Sequence, residues 1–277
     1  MKNNEYSQTD FSIMKYDEIK NLTKVLRSEK SKTSKENLKE IALKLKNDSR
    51  KNVNLLSVSL IKYILKIDNE VERIKRLYDF DKSFGDYTYV AGTDEVGRGP
   101  LAGPIVSASV ILNTKSELQY IMGINDSKKI SAPNREKLAS IIRENCLCFN
   151  IYGLESKEID ERGISWCNNE VLKNSSANLS IKPDLILSDG YPIRNTLIKN
   201  EFVIKGDSKS ATIGAASIIA KVYRDDLMKQ YSLVYPQYGF ERNSGYGTSE
   251  HIAAIRKYGP CPIHRNSFLR GILNSDL

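Results

Sequence analysis

Residues 89–113 read Tyr-Val-Ala-Gly-Thr-Asp-Glu-Val-Gly-Arg-Gly-Pro-Leu-Ala-Gly-Pro-Ile-Val-Ser-Ala-Ser-Val-Ile-Leu-Asn, and they restrict the fold more than any other segment. A short apolar run ends in two adjacent carboxylates, Asp94 and Glu95. A basic glycine turn and a second β-rich run follow. Glycine lacks a Cβ and tolerates positive φ, so Gly97-Arg98-Gly99 can bring backbone amides close to a phosphodiester. Acids suited to Mg²⁺ beside amides and an arginine suited to phosphate point to nucleic-acid chemistry. The alternative is an ordinary hairpin with solvated acids, and the acid pair alone does not decide between them.

The remainder of the 277-residue chain divides by texture. Residues 1–84 are rich in Lys, Glu, Asn and Ser and lack proline and glycine. Apolar residues there recur at helical spacing: Ile19, Leu22, Leu26; Leu38, Ile41, Leu45; and Leu56, Leu60, Ile64, Ile67, Val71, Ile74, Leu77. This predicts two short helices and one long one, with breaks near Ser28–Ser34 and Asn47–Asn54. Such an extension is either a helical appendage or, through its lysines, a nucleic-acid handle; docking of another protein is a third reading.

After residue 84 strand-like runs appear at Val90–Thr93, Ile105–Leu112, Cys146–Tyr152, Leu185–Ser188 and Phe202–Lys205. Helical patterns fall at about Pro133–Glu144, Ile164–Ser176 and Thr212–Tyr231. Ser131 is the expected cap of the first, with Pro133 in its first turn. Consecutive strands followed by alternation with helices predict an α/β domain built on a mixed sheet over residues 85–277.

Two further acids stand at strand ends: Asp189 after Leu185-Ile-Leu-Ser, and Asp207 after Phe202-Val-Ile-Lys-Gly. In open α/β sheets active sites gather at the carboxyl edge, where these acids can meet Asp94 and Glu95. Clustered carboxylates raise one another's pKa unless cations neutralise them. Oxygen-only donors favour Mg²⁺ or Mn²⁺ over zinc, and two such ions can activate a water and stabilise a leaving oxygen. Asp-Gly is also a common turn signal, so a purely structural role stays open. Asp225 and Asp226 read as solvated helix residues.

The charge of +8 and pI of about 9.1 suit a polyanionic partner without proving one. Two histidines in the whole chain argue against histidine-built zinc sites and serine–histidine triads. Cys146, Cys148, Cys167 and Cys261 show no CxxC pairing, as expected in a reducing cytosol. No segment approaches the ~18 apolar residues of a membrane span, so the expectation is a soluble, cytoplasmic protein without a membrane partner.

The run Gly92-Thr-Asp-Glu-Val-Gly-Arg-Gly-Pro-Leu-Ala-Gly-Pro resembles the opening motif of the ribonuclease HII family. So do Asn125-Asp-Ser-Lys-Lys, Ser188-Asp-Gly, Lys205-Gly-Asp-Ser, Ala215-Ala-Ser-Ile-Ile-Ala-Lys-Val-Tyr-Arg-Asp, Tyr235-Pro-Gln-Tyr-Gly-Phe and His264-Arg-Asn-Ser-Phe. The blocks keep family order over roughly residues 88–270. The extension resembles that of some bacterial members more weakly.

The resemblance implies a ribonuclease H-like mixed sheet with flanking helices and a C-terminal helical part. It places catalytic and metal-binding acids at Asp94, Glu95, Asp189 and Asp207, with Mn²⁺ or Mg²⁺ as the two ions. It implies that Gly97, Arg98 and Gly99 grip the ribonucleotide, where a 2′-hydroxyl separates RNA from DNA, and that Tyr246 stacks on the next, deoxy sugar. Ser127, Lys128 and Lys129 would contact the backbone, and Lys221 and Arg224 would do the same or pair with the acids. His264 and Arg265 would be structural or substrate-adjacent.

Where the family commonly has His-Lys before Gly-Tyr-Gly-Thr, this chain has Asn243-Ser244. The departure removes one expected phosphate contact and leaves the acids untouched, and Arg242 is a candidate to replace it. The implied activity is endonucleolytic hydrolysis of the RNA strand of RNA–DNA hybrids, and cutting 5′ of single ribonucleotides in duplex DNA, by a monomer serving ribonucleotide removal. A ribonuclease HIII-like preference for long hybrids, and a non-catalytic hybrid-binding module, are the competing readings.

Overall fold

The computed structural model describes residues 9–28, 33–114 and 117–273. By its internal contacts the chain forms two compact units, Met1–Arg73 and Ile74–Leu277.

The first unit holds α1 (Tyr16–Leu26), α2 (Lys35–Lys46) and most of α3 (Lys51–Lys82). The predicted periodicity is realised: Ile19, Leu26, Leu38, Ile41, Leu45, Val53 and Leu60 form one apolar core. Ser34 caps α2 by accepting a hydrogen bond from the Asn37 amide at 3.3 Å. The expected break near Ser28–Ser34 lies partly outside the described residues.

The last turns of α3 supply Ile74, Leu77 and Tyr78 to the second unit's core. That unit is built on β1 (Val90–Val96), β2 (Ile105–Ile111), β3 (Cys148–Leu154), β4 (Leu185–Asp189) and β5 (Asn200–Val203). Their order in the sheet is β3-β2-β1-β4-β5. The β1–β2 and β2–β3 pairs are antiparallel, and the β1–β4 and β4–β5 pairs are parallel. This is the expected mixed sheet, with β5 beginning before the apolar run and ending at Val203.

β2 is buried along its whole length, so its alternating side chains reach both faces. Ala108 and Val110 pack with α4 (Ala132–Asn145) and α7 (Ala211–Val234). Ile105 and Ile111 pack with residues of α6 (Ile164–Ala177). Ser131 precedes α4 but its hydroxyl makes no capping bond, in contrast to the expectation.

The crossing of α7 over β1 depends on Gly92. A Cβ there would lie 2.0 Å from the Thr212 carbonyl carbon, so any side chain would push the helix off the strand. The N-terminus of α7 is tied down by Ser210, which accepts from the Ile213 amide at 3.1 Å, and by Asp81, which accepts from Thr212 at 2.9 Å.

Four short helices escaped the periodicity reading: α5 (Ser156–Arg162), α8 (Phe240–Asn243), α9 (Ser249–Tyr258) and α10 (Asn266–Leu273). Residues of α8, α9 and α10 join Ala102, Met228 and Tyr238 in a separate C-terminal core. Among the described residues no helix is long and apolar enough to cross a membrane.

Candidate active site

The parallel ladder between β1 and β4 sets Thr93 beside Ser188. One further step along both strands brings Asp94 and Asp189 to the same sheet edge, as the strand-end reading required. Both strands run one step or more past their apolar runs: Asp94 and Glu95 are inside β1, and Asp189 ends β4. β5 pairs Val203 with Asp189. The chain then turns through Lys205, held left-handed at φ +57°, so that the Gly206 amide donates to Asp189 Oδ1 at 2.6 Å.

A cleft of about 400 Å³ opens at this edge. Asp94, Glu95 and Asp189 line it, together with Gly97, Arg98, Gly99, Ser127, Lys128, Lys221 and Tyr246. Ten of the sequence-predicted residues therefore converge. Burial first, then Glu95 and Asp189, pushes the Asp94 carboxyl well above the usual carboxylate range. Burial pushes Glu95 up to about 7, against the opposing pull of Arg98, whose Nη1 is 3.7 Å from its Oε1. Asp189 is raised mainly by burial, opposed by its Gly206 hydrogen bond.

Asp207 does not line this cleft, yet it shares the field: burial, then Asp189 and Asp126, raise its carboxyl. No group of three or more acidic, histidine or cysteine side chains is drawn into ion-holding geometry among the described residues. The donor set nevertheless fits a hard divalent cation. It is all oxygen, its members repel one another, and the buried Glu95 Oε2 has no hydrogen-bond partner.

The structure corrects several expectations. Arg224 is wholly buried, and its guanidinium donates to the carbonyls of Pro104 (2.9 Å), Ser244 (2.9 Å) and Ala102 (3.1 Å). It has no fork left for a phosphate. Lys129 does not line the cleft; it is exposed, 3.6 Å from Asp126. Asp225 is not solvated: it pairs with Lys221 at 2.6 Å and Arg135 at 3.4 Å. Arg242 pairs with Glu241 and lies away from the acid cleft.

Arg265 is structural. It donates from Nη2 to the Gly97 carbonyl (2.5 Å), from Nη1 to Arg98 (3.0 Å) and from Nε to Gly103 (3.0 Å), pinning the glycine turn from beneath. Tyr246 is held by a chain of imidazoles. The Cys261 amide donates to His264 Nδ1 at 2.9 Å, which leaves His264 Nε2 to donate to His251 Nε2 at 3.0 Å. His251 Nδ1 then donates to the Tyr246 carbonyl at 2.9 Å. Asn243 closes the preceding turn, donating to Tyr238 O (2.7 Å) and accepting from the Gly245 amide (2.8 Å). The sequence departure there thus builds the loop that carries Tyr246.

Sequence reasoning missed Ser217 and Tyr191. Ser217 lines the cleft on α7 near the Asp94 carboxyl, whose raised pKa it opposes, and its Oγ is 3.0 Å from Ser127 Oγ. A small hydroxyl one helical turn before Lys221, on the same face of α7, was its available signal. The Arg98 guanidinium sits 4.4 Å from the Tyr191 ring centroid, a pairing that nothing in the spacing announces.

The family profile described as ribonuclease HII matches residues 91–271. A ribonuclease HII of Clostridium tetani is 51% identical over 96% of this chain and 97% of that protein. One from Clostridium perfringens is 57% identical over 88% of this chain and 90% of its own length. Among solved structures, the ribonuclease H2 of Pyrococcus horikoshii covers 67% of this chain and 97% of its own, with 29% identity and a TM-score of 0.59. The strand-edge acids and the glycine turn beside them stand inside the matched segment, and the chain belongs to the ribonuclease HII family, nucleases that hydrolyse RNA in RNA–DNA hybrids.

Proposed function

We propose that the acid cleft hydrolyses the RNA strand of RNA–DNA hybrids and also cuts 5′ of a single ribonucleotide embedded in duplex DNA. One observation carries this reading: three carboxylates, the Gly97-Arg98-Gly99 turn and the half-exposed Tyr246 ring all line one cleft. The glycine turn offers a 2′-hydroxyl close approach to backbone, and the ring offers a flat face to a neighbouring sugar that lacks one.

Asp94, Glu95 and Asp189 would hold Mg²⁺ or Mn²⁺, with Asp207 completing the acidic field. Divalent ions bound there supply a lowered water pKa and charge stabilisation at the leaving oxygen. The protein's own contribution is placement. Ser217 stands near Asp94, the Gly206 amide orients Asp189, and Arg98, Lys128 and Lys221 present positive charge to the phosphodiester. Water adds to phosphorus, the bond to the preceding nucleotide's O3′ breaks, and that oxygen takes a proton. The products are a 3′-hydroxyl and a 5′-phosphate. The protein acts as a monomer in this reading.

The test is cleavage of a DNA duplex carrying one ribonucleotide, in Mg²⁺ and in Mn²⁺, beside Asp94→Asn. A single cut 5′ of the ribonucleotide, lost in the variant, is the expected outcome. Cleavage of continuous hybrids alone overturns the junction specificity, and tight binding without any cleavage overturns the enzyme reading.

A further inference from the structure

Arg98 lines two clefts. The second, about 220 Å³, is bounded by Ser165, Asn168 and Asn169 of α6 and by Tyr191 and Arg194 of the loop after β4. It is chemically unlike the acid cleft, because no carboxylate lines it and two arginines do. Its walls are built rather than incidental. Asn169 clamps the loop from both sides, accepting from the Arg194 amide at 2.8 Å and donating to the Arg194 carbonyl at 3.3 Å. Tyr191 supports the flat face of the Arg98 guanidinium.

Two polar groups at this cleft lack partners. Asn168 is only 5% exposed, yet its Oδ1 makes no hydrogen bond, and the Arg98 Nε is likewise buried and unpartnered. Buried polar groups are ordinarily satisfied, so these two, on residues that both line the cleft, are groups that a turn of the side chain can bring to a ligand. The Asn168 amide presents either its oxygen or its nitrogen after a half-turn, and Arg98 and the exposed Arg194 present guanidinium donors.

We propose that this second cleft is a backbone subsite that takes one phosphate of the bound nucleic-acid duplex, away from the phosphodiester being cut. The proposal rests on the nuclease reading above, and Arg98 is the shared post between the two positions. Arg194 supplies the charge, and Asn168 supplies the directional hydrogen bond. None of the acids lines the site, and it meets the glycine turn only at Arg98, so it sets how the duplex is held and not how the bond is broken.

The experiment uses the full chain, Arg194→Gln and Asn168→Asp. Arg194 is exposed, so its variant retains the fold. The duplex with one ribonucleotide is prepared with a neutral methylphosphonate at each backbone position in turn, and affinity is read in EDTA alongside KM and kcat in Mg²⁺. Arg194→Gln is expected to raise KM about tenfold with kcat retained, and to flatten the salt dependence by about one phosphate contact. One methylphosphonate position should weaken the wild type and leave Arg194→Gln unaffected. Asn168→Asp, which turns the cleft wall anionic, should weaken affinity further. An unchanged salt slope, or no position that couples to Arg194, overturns the proposal. So does competition by inorganic phosphate in the wild type with duplex affinity untouched by Arg194→Gln, which would mark a free-anion site. Because binding in EDTA is independent of cleavage, failure of the junction-cutting reading shows up separately, as no cut in the wild type.

Discussion

The two units of this chain use their interiors differently. In the first, the buried polar residues among those described are Thr23 and Ser57, and each hydroxyl donates to its own helix, to Lys20 O at 2.9 Å and Asn54 O at 2.6 Å. Everything else in that core is aliphatic or aromatic. The second unit buries Asp94, Arg135, Arg224, Arg265, His251 and His264. Apolar cores tolerate exchange of shape at constant volume, whereas a buried charge is costly unless every donor finds an acceptor. The first unit therefore rests on area removed from water. The second gives up stability at particular positions and gains fixed loops around a cleft.

Removing an acid should separate the two quantities most strongly. Asp94→Asn is expected to lower cleavage at least ~10³-fold, yet the ion-free protein should melt at an equal or higher temperature. Its carboxyl, like that of Glu95, is raised in the folded state by burial and by its neighbours. A carboxyl raised in this way binds more protons folded than unfolded, so stability falls as pH rises. For Glu95 the window runs from its ordinary 4.5 to about 7. Calorimetry of the ion-free protein at pH 5 and pH 8 checks this. A variant less stable than the wild type at pH 8 would mean that the acids support the fold.

Buried arginine should behave in the opposite way. Arg265→Met leaves the carbonyls of Gly97, Arg98 and Gly103 without their donor, at a cost of about 3–5 kcal/mol. It should also lower kcat/KM at temperatures where the chain remains folded, because the glycine turn loses its anchor. Leu45→Ala in the first unit costs a similar 2–5 kcal/mol or so by cavity formation, with kcat/KM retained. Equal losses of kcat/KM in the two variants, measured at 10 °C below the onset of melting, would erase the distinction.

Acid should discriminate between the units next. Both histidines of the chain are in the second unit. Burial, then His251, holds the His264 imidazole down to about 4 from 6.5. A base with a depressed folded pKa resists protonation, so its contribution is intact above pH 6.5 and is lost as pH falls toward 4. Amide hydrogen exchange between pH 7 and pH 4.5, corrected for the intrinsic rate, should show α9 and the Tyr246 loop opening while α1 and α2 stay protected. His264→Gln should reduce that pH dependence, leaving the part due to His251, whose buried imidazole is also held down, and an unchanged pH dependence would place the acid-sensitive group elsewhere.

The difference between the units also explains what was legible in the sequence. The three helices of the first unit followed from periodicity, since an apolar core is written directly as spacing. The strands carrying Asp94 and Asp189 were legible because an apolar run stops at an acid. β5 was displaced because it begins with polar Asn200 and Glu201 on an edge strand; the Asn200 amide bonds the Ile193 backbone instead of entering an apolar core, so neither side chain carries a strand signal. Arg224 was misread because a basic residue one helical turn from Lys221 looks the same in sequence whether it meets solvent or three carbonyls. The His251–His264 chain joins residues on either side of a helix end, so only the fold reveals it.

The smallest predicted effect tests the same contrast within one turn. Gly97 sits at φ +94°, and a Cβ there would lie 2.4 Å from Arg224 Nε and 2.7 Å from the Pro104 carbonyl. Gly97→Ala should therefore destabilise by about 1–3 kcal/mol. Gly99 has nothing within 4 Å of the corresponding position and lies outside the left-handed region. Gly99→Ala should change stability by less than ~0.5 kcal/mol, yet it adds a methyl group to the wall of the acid cleft. If Gly99 keeps space for a nucleotide, its alanine variant raises KM for the duplex at unchanged melting temperature, whereas the Gly97 variant loses both together. Unchanged KM in Gly99→Ala would mean that the substrate approaches the turn from the Arg98 side and never uses that space.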